Sequence, residues 1–101
     1  MDIRINGKEY DVEVADTPEE RRRGLRYISK LDDDEGMLFI FDEDGENVSM
    51  TMQDTYIPLD QIFINSEGIV MKVVTREPED DTLVSYKNTS YVLELNANSG
   101  V

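Results

Sequence analysis

The chain is expected to fold as a mainly β (α+β) domain, a small antiparallel β-barrel or sandwich with one short N-terminal helix. Three features predict this class. Apolar residues alternate with polar ones near both ends, a short unbroken apolar run fills residues 37–41, and glycine-containing turns separate the β-patterned segments. A length of 101 residues suits a single domain over 1–101, which buries roughly two-thirds of the surface its unfolded chain exposes.

Ile3 and Ile5 flank Arg4, Asn6-Gly7 supplies the two positive-φ positions of a tight turn, and Tyr10, Val12 and Val14 resume period two, so the chain opens with a β-hairpin. A short helix is expected next. Thr17 can cap it, Pro18 suits its first position, and Glu20 can reach back to the cap amide. It runs through Arg21, Arg22 and Arg23, and Gly24 either ends it or lets it pack closely before Leu25 anchors the exit. Leu31 and the acidic residues 32–35 make a loop, and residues 37–41 have the length of a core strand rather than a helix. Residues 42–47 form a polar turn, and residues 48–52 alternate as a further strand. Pro58 breaks that pattern, because it cannot donate to a ladder and belongs on an edge or in a bend. Residues 61–64 return to strand character, Asn65-Ser66-Glu67-Gly68 turns, and residues 69–74 run back as a second hairpin. Residues 76–81 read as a charged loop, and residues 91–95 close with period two.

Composition narrows the chemistry. With no cysteine, neither a disulfide framework nor a thiolate nucleophile can be built, and with no histidine the usual general base and commonest metal ligand are missing. The pattern argues against an ordinary hydrolase and calls for no cofactor and no metal. A net charge of -13 repels phosphate backbones, so nucleic acid is not an expected partner, nor is an anionic membrane surface. The start at Met1-Asp2-Ile3 lacks a signal-peptide pattern, and no apolar run approaches the ~20 residues of a membrane span. The expected location is a cytoplasm or the inside of an assembled particle.

The landmarks Thr17-Pro18-Glu19-Glu20-Arg21 with Gly24-Leu25, residues 34–41, Met52 with Thr55, Ile57-Pro58-Leu59-Asp60, Phe63-Ile64 and residues 91–95 follow one another in the order and spacing of a known family. The chain resembles DUF192, also called UPF0127, a family of uncharacterised proteins of bacteria, archaea and phages. The resemblance covers most of the chain, and its Gly-Met-Leu-Phe and Ile-Pro-Leu-Asp blocks together are specific. It implies a compact β-rich domain with one or two short helices and no established activity. Where that family usually reads Phe-Trp-Met-Lys-Asn-Thr, this chain has Met50-Thr51-Met52-Gln53-Asp54-Thr55, which removes the aromatics and the cation and adds a carboxylate. The family's arginine shortly after the Gly-Leu pair corresponds to Ile28, and a last helical turn and strand are expected to be missing beyond Asn96.

The stretch from Met52 to Asp60 carries the candidate binding residues Met52, Gln53, Asp54, Thr55 and Asp60. A carboxylate and a hydroxyl beside a proline-fixed turn can orient a polar ligand or a partner's backbone amides, or can instead cap local backbone groups. Arg22 and Arg26 would share a helix face at i and i+4 and form a partner-docking candidate. The acidic runs at 32–35 and 42–46 do not match a twelve-residue calcium loop and read as solvated faces. The expected function is a non-enzymatic binding or protein-interaction module, such as an accessory or virion-associated phage-type protein, with a protein partner, a larger assembly or a small polar ligand. The alternative is a small enzyme acting on a polar substrate through the carboxylate pair Asp54 and Asp60.

Overall fold

The computed structural model describes residues 1–101. Eight strands and one helix follow in the order β1 (Asp2–Ile5), β2 (Lys8–Ala15), α1 (Pro18–Arg23), β3 (Glu35–Ile40), β4 (Glu46–Met50), β5 (Leu59–Ile64), β6 (Val70–Arg76), β7 (Val84–Thr89) and β8 (Tyr91–Asn96). Six strands make one curled sheet in the order β1-β2-β3-β8-β5-β6, and β4 pairs with β7 as a separate two-stranded layer. The fold is thus the expected mainly β domain with one short helix.

Local signals produce the first half. Asn6 and Gly7 take positive φ values of 50° and 80° at the tip of the β1–β2 hairpin. Thr17 caps α1: its Oγ1 accepts from the Glu20 amide at 3.1 Å, while Glu20 Oε1 accepts from the Thr17 amide at 3.2 Å. Gly24 ends the helix with φ 49°.

Three features depart from expectation. β2 and β3 pair in parallel, with Val12 beside Gly36 and Ala15 beside Phe39. The chain between them carries α1, so it can cross over and return in the same direction, which a short turn cannot do. β7 is an additional strand, and only Val84 and Tyr86 of it reach the core as partly buried hydrophobics. With so few apolar inward positions, and the polar Thr89 as its fully buried residue, its hydrophobic periodicity is weak. β4 also begins two residues earlier than residues 48–52 suggest, at Glu46, and ends at Met50.

The large sheet buries both faces unequally. On one side Met37, Phe39, Phe63 and Val92 pack against Val48, Met50 and Met52 from the β4 layer, with Leu25 and Ala15 closing the edge. Each such large side chain contributes about 1.5–3 kcal/mol when removed from water. The opposite face holds Tyr10, Val12, Leu38, Ile62, Leu93 and Leu95. Gly36 lets β3 approach β8, because a Cβ there would stand 2.5 Å from the Glu94 carbonyl and 2.6 Å from Leu95 Cδ2. The β4–β7 layer lies over the first face, and the site forms where that layer meets α1.

Candidate functional site

The residues nominated from sequence separate in three dimensions. Met52 is wholly buried in the core, and Gln53 is exposed. Asp54, with φ 57°, carries a carboxylate that accepts from the Tyr27 hydroxyl at 3.3 Å and pairs with Arg26 Nη1 at 3.6 Å. Thr55 is buried; its hydroxyl donates to the Gln53 carbonyl at 3.4 Å and its own carbonyl accepts from the Glu79 amide at 2.9 Å.

Asp60 faces the other side of β5. Its carboxylate accepts from the Thr75 hydroxyl at 2.6 Å, the Asn98 amide at 3.2 Å, and the Ser99 amide and hydroxyl at 2.8 and 2.7 Å. Burial alone would raise its pKa, but the hydrogen bonds from Thr75, Ser99 and Asn98 outweigh it and hold the carboxyl below its ordinary value. Asp60 therefore fastens the C-terminal segment to the sheet. Neither it nor Asp54 lines a cavity.

The arginines meet differently from the sequence pattern. α1 stops at Arg23, so Arg26 lies in the turn beyond Gly24 and not one helical turn above Arg22 on a shared face. The two nevertheless line one cleft, between α1 and the end of β4. Arg21 is committed to structure, donating to the carbonyls of Asp16 at 2.9 Å and Ile40 at 3.0 Å. Arg22 and Arg23 are exposed and form no ion pair.

The cleft encloses about 180 Å³. Leu25, Phe39 and Met50 form its apolar wall, Ser49, Thr51 and Thr55 contribute hydroxyl-bearing residues, and Glu94 reaches it from β8. Gly24 keeps the wall open, since a Cβ on it would stand 3.2 Å from the Phe39 ring.

Behind the cleft lies a buried polar relay. Gln61 Nε2 donates to Glu94 Oε2 at 2.8 Å, and Arg76 Nη1 donates to Gln61 Oε1 at 2.9 Å and to the Met50 carbonyl at 3.2 Å. Arg76 Nη2 donates to the Thr82 carbonyl and sits 3.9 Å from Asp80 Oδ2. Strand register builds this relay, because Gln61 stands directly opposite Glu94 while Leu59, two residues back on the same face, stands opposite Arg76. Burial pushes the Glu94 carboxyl up to about 7, with the Gln61 hydrogen bond and the Arg76 charge opposing it. Sequence reasoning named neither Glu94, Gln61 nor Arg76. The available signal was a carboxylate inside an otherwise apolar strand, Tyr91-Val92-Leu93-Glu94-Leu95.

Chemically, the arrangement offers cationic groups at the mouth of a small cleft and a carboxyl at its base that changes protonation near neutral pH. Nowhere do three or more carboxylates gather closely enough to hold a metal ion. No helix is long and apolar enough to cross a membrane.

The family DUF192, described as Uncharacterized ACR, COG1430, matches residues 1–100. A crystal structure from Sinorhizobium meliloti 1021, named as a candidate transcription regulator, is 35% identical with a TM-score of 0.87, over 97% of this chain and 78% of that one. A protein of unknown function from Novosphingobium aromaticivorans DSM 12444 is 31% identical with a TM-score of 0.86, over 92% of this chain and 70% of that one. No curated protein matches the chain.

Proposed function

The chain belongs to the DUF192 family, and we propose that it uses the fold as a non-enzymatic binding module whose working surface is the cleft between α1 and β4. Arg22, Arg23 and Arg26 draw an anionic ligand to the mouth, and Thr51 and Thr55 help to orient it. One observation carries this reading: in a chain of net charge -13, two exposed arginines, Arg22 and Arg23, stand without ion-pair partners at the same small cavity. Elsewhere the acidic surface repels anions, so the cleft is where one can be held.

A second reading draws support from the aromatic rim. Tyr27 and Tyr56 are exposed and meet edge-to-face with ring centroids 6.0 Å apart, beside the Arg26–Asp54 pair. Tyrosine and arginine dominate interface hot spots, so this rim suits a protein partner or a larger assembly, a virion included. The candidate-regulator description belongs to the Sinorhizobium protein; carried to this chain, it would mean regulation through a ligand or protein, since the charge opposes phosphate backbones. The enzyme alternative through Asp54 and Asp60 draws no support from the geometry, because the first is held by Arg26 and the second by the C-terminal segment.

The test is an amide chemical-shift titration with inorganic phosphate. Saturable shifts are expected at Gly24, Leu25, Thr51 and Thr55, and they should vanish in an Arg22→Ala, Arg23→Ala variant that still shows the native spectrum. Shifts scattered over the surface, or shifts unchanged in the variant, contradict the reading.

A further inference from the structure

The geometry points to a more specific ligand: a small organic anion that carries its own hydrogen-bond donor, a short hydroxy or amino acid in chemical class, with its carboxylate at Arg22 and Arg23 and its donor on Glu94 Oε1. This inference rests on the binding reading above and adds the identity of the ligand.

Three observations lead to it. First, Glu94 uses one oxygen, Oε2, for Gln61, while Oε1 accepts from no protein group. No side-chain polar atom that is sealed from solvent lacks a partner, so Oε1 opens to the cleft, where Glu94 is a lining residue. An acceptor open at the base of a cavity favours a ligand that brings a donor. Second, the polarity is two-ended, cationic at the mouth and carboxylic at the base. A ligand with negative charge throughout would set that charge against Glu94, whereas one with an anionic head and a donating tail matches both ends. Third, about 180 Å³ is room for roughly six waters, below the ~300 Å³ of a drug-sized site, and its apolar wall of Leu25, Phe39 and Met50 suits a short carbon skeleton.

The charged surroundings of Glu94 determine how protonation enters. Arg76 of β6 lies behind it through Gln61, and Arg21, Arg22, Arg23 and Arg26 line the same cleft. Asp80 and Asp54 stand beyond Arg76 and Arg26, and exposed Glu13 shares the sheet face two strands away. A donating ligand is best received by the ionised carboxylate. Its advantage over a donor-free analogue should therefore grow as pH rises through the Glu94 titration, near 7.

The experiment compares butyrate, 2-hydroxybutyrate and 2-aminobutyrate by amide chemical-shift titration at about pH 5.5 and about pH 8.5, with inorganic phosphate as reference. At the higher pH, at least one of the two donor-bearing acids should bind about tenfold tighter than butyrate, and the ratio should shrink at the lower pH. The hydroxy and amino arms tell the two donors apart. Glu94→Gln and Glu94→Leu should each remove the pH dependence of the ratio, and two variants keep the test open if one fails to fold. Equal binding of butyrate and both donor-bearing acids, or a ratio that ignores pH in the wild type, overturns the donor assignment. If phosphate shifts the cleft amides while none of the three acids does, the ligand class is wrong and the anion site stands. If phosphate also leaves those amides unmoved, the binding reading itself fails.

Discussion

The side-chain amide of Gln61 donates to the Glu94 carboxylate at 2.8 Å, inside the sheet and beneath the only cleft that the helix arginines line. Gln61 also accepts from Arg76, so one neutral residue joins a buried acid to a buried base that do not touch each other directly. Removing it takes from Glu94 its one protein donor and from Arg76 one of several acceptors, the carbonyls of Met50 and Thr82 remaining.

Gln61→Leu should therefore destabilise the fold by about 2–4 kcal/mol, since it leaves the buried Glu94 carboxyl without a protein donor and removes one acceptor from Arg76 without opening a cavity. Urea unfolding followed by circular dichroism measures the loss. A change below about 0.5 kcal/mol would mean that the relay has no energetic weight.

Glu94 makes stability depend on pH in a definite direction. The unfolded side chain ionises near 4.5 and the folded one near 7, so between those values the native state holds a proton that the unfolded chain has lost. Stability from this group is full below the unfolded value and disappears as pH rises through the folded one, by about 3 kcal/mol in all at 1.36 kcal/mol per unit. In Glu94→Gln this component should be absent. Denaturant midpoints of wild type and variant, compared from about pH 4.5 to about pH 7.5, should converge or cross accordingly; parallel profiles would contradict the burial argument.

Asp60 gives the opposite sign. Its folded pKa lies below the unfolded 3.8, so its contribution is present above that value and lost as pH falls through the folded one. Asp60→Ala should free the Asn98 and Ser99 amides, read as rapid hydrogen exchange there, at a cost of about 2 kcal/mol. Persistent protection of both amides would show that the C-terminal segment is held by other contacts.

Gly24→Ala places a methyl group 3.2 Å from the Phe39 ring at a backbone φ of 49°. The expected loss is about 1–3 kcal/mol, together with a narrower cleft and weaker phosphate binding. Unchanged stability and unchanged binding would remove Gly24 from the account.

Much of the fold was legible because its signals are local. Asn6-Gly7 needs only its neighbours to turn, and the Thr17–Glu20 box closes over three residues. The parallel pairing of β2 and β3 was not legible, since it depends on where a crossover of residues 16–34 delivers the chain. β7 was obscured because Val84 and Tyr86 are its only hydrophobic residues packed on the core, its one fully buried residue being the polar Thr89. At the site, Arg22, Arg26 and Thr55 could be named from sequence, and all three line the cleft. Glu94 could not. In a period-two strand its polar side chain reads as facing solvent, and only the distant β4 layer, laid over that face, buries it.

The measurement closest to the central claim is the titration of the Glu94 side-chain carboxyl by carbon-13 NMR, with and without saturating inorganic phosphate. A midpoint near 7 in the free protein, moving higher when phosphate occupies the arginine mouth, is the result this account predicts, because an added negative charge disfavours ionisation. An ordinary carboxylate midpoint that phosphate leaves in place would contradict it.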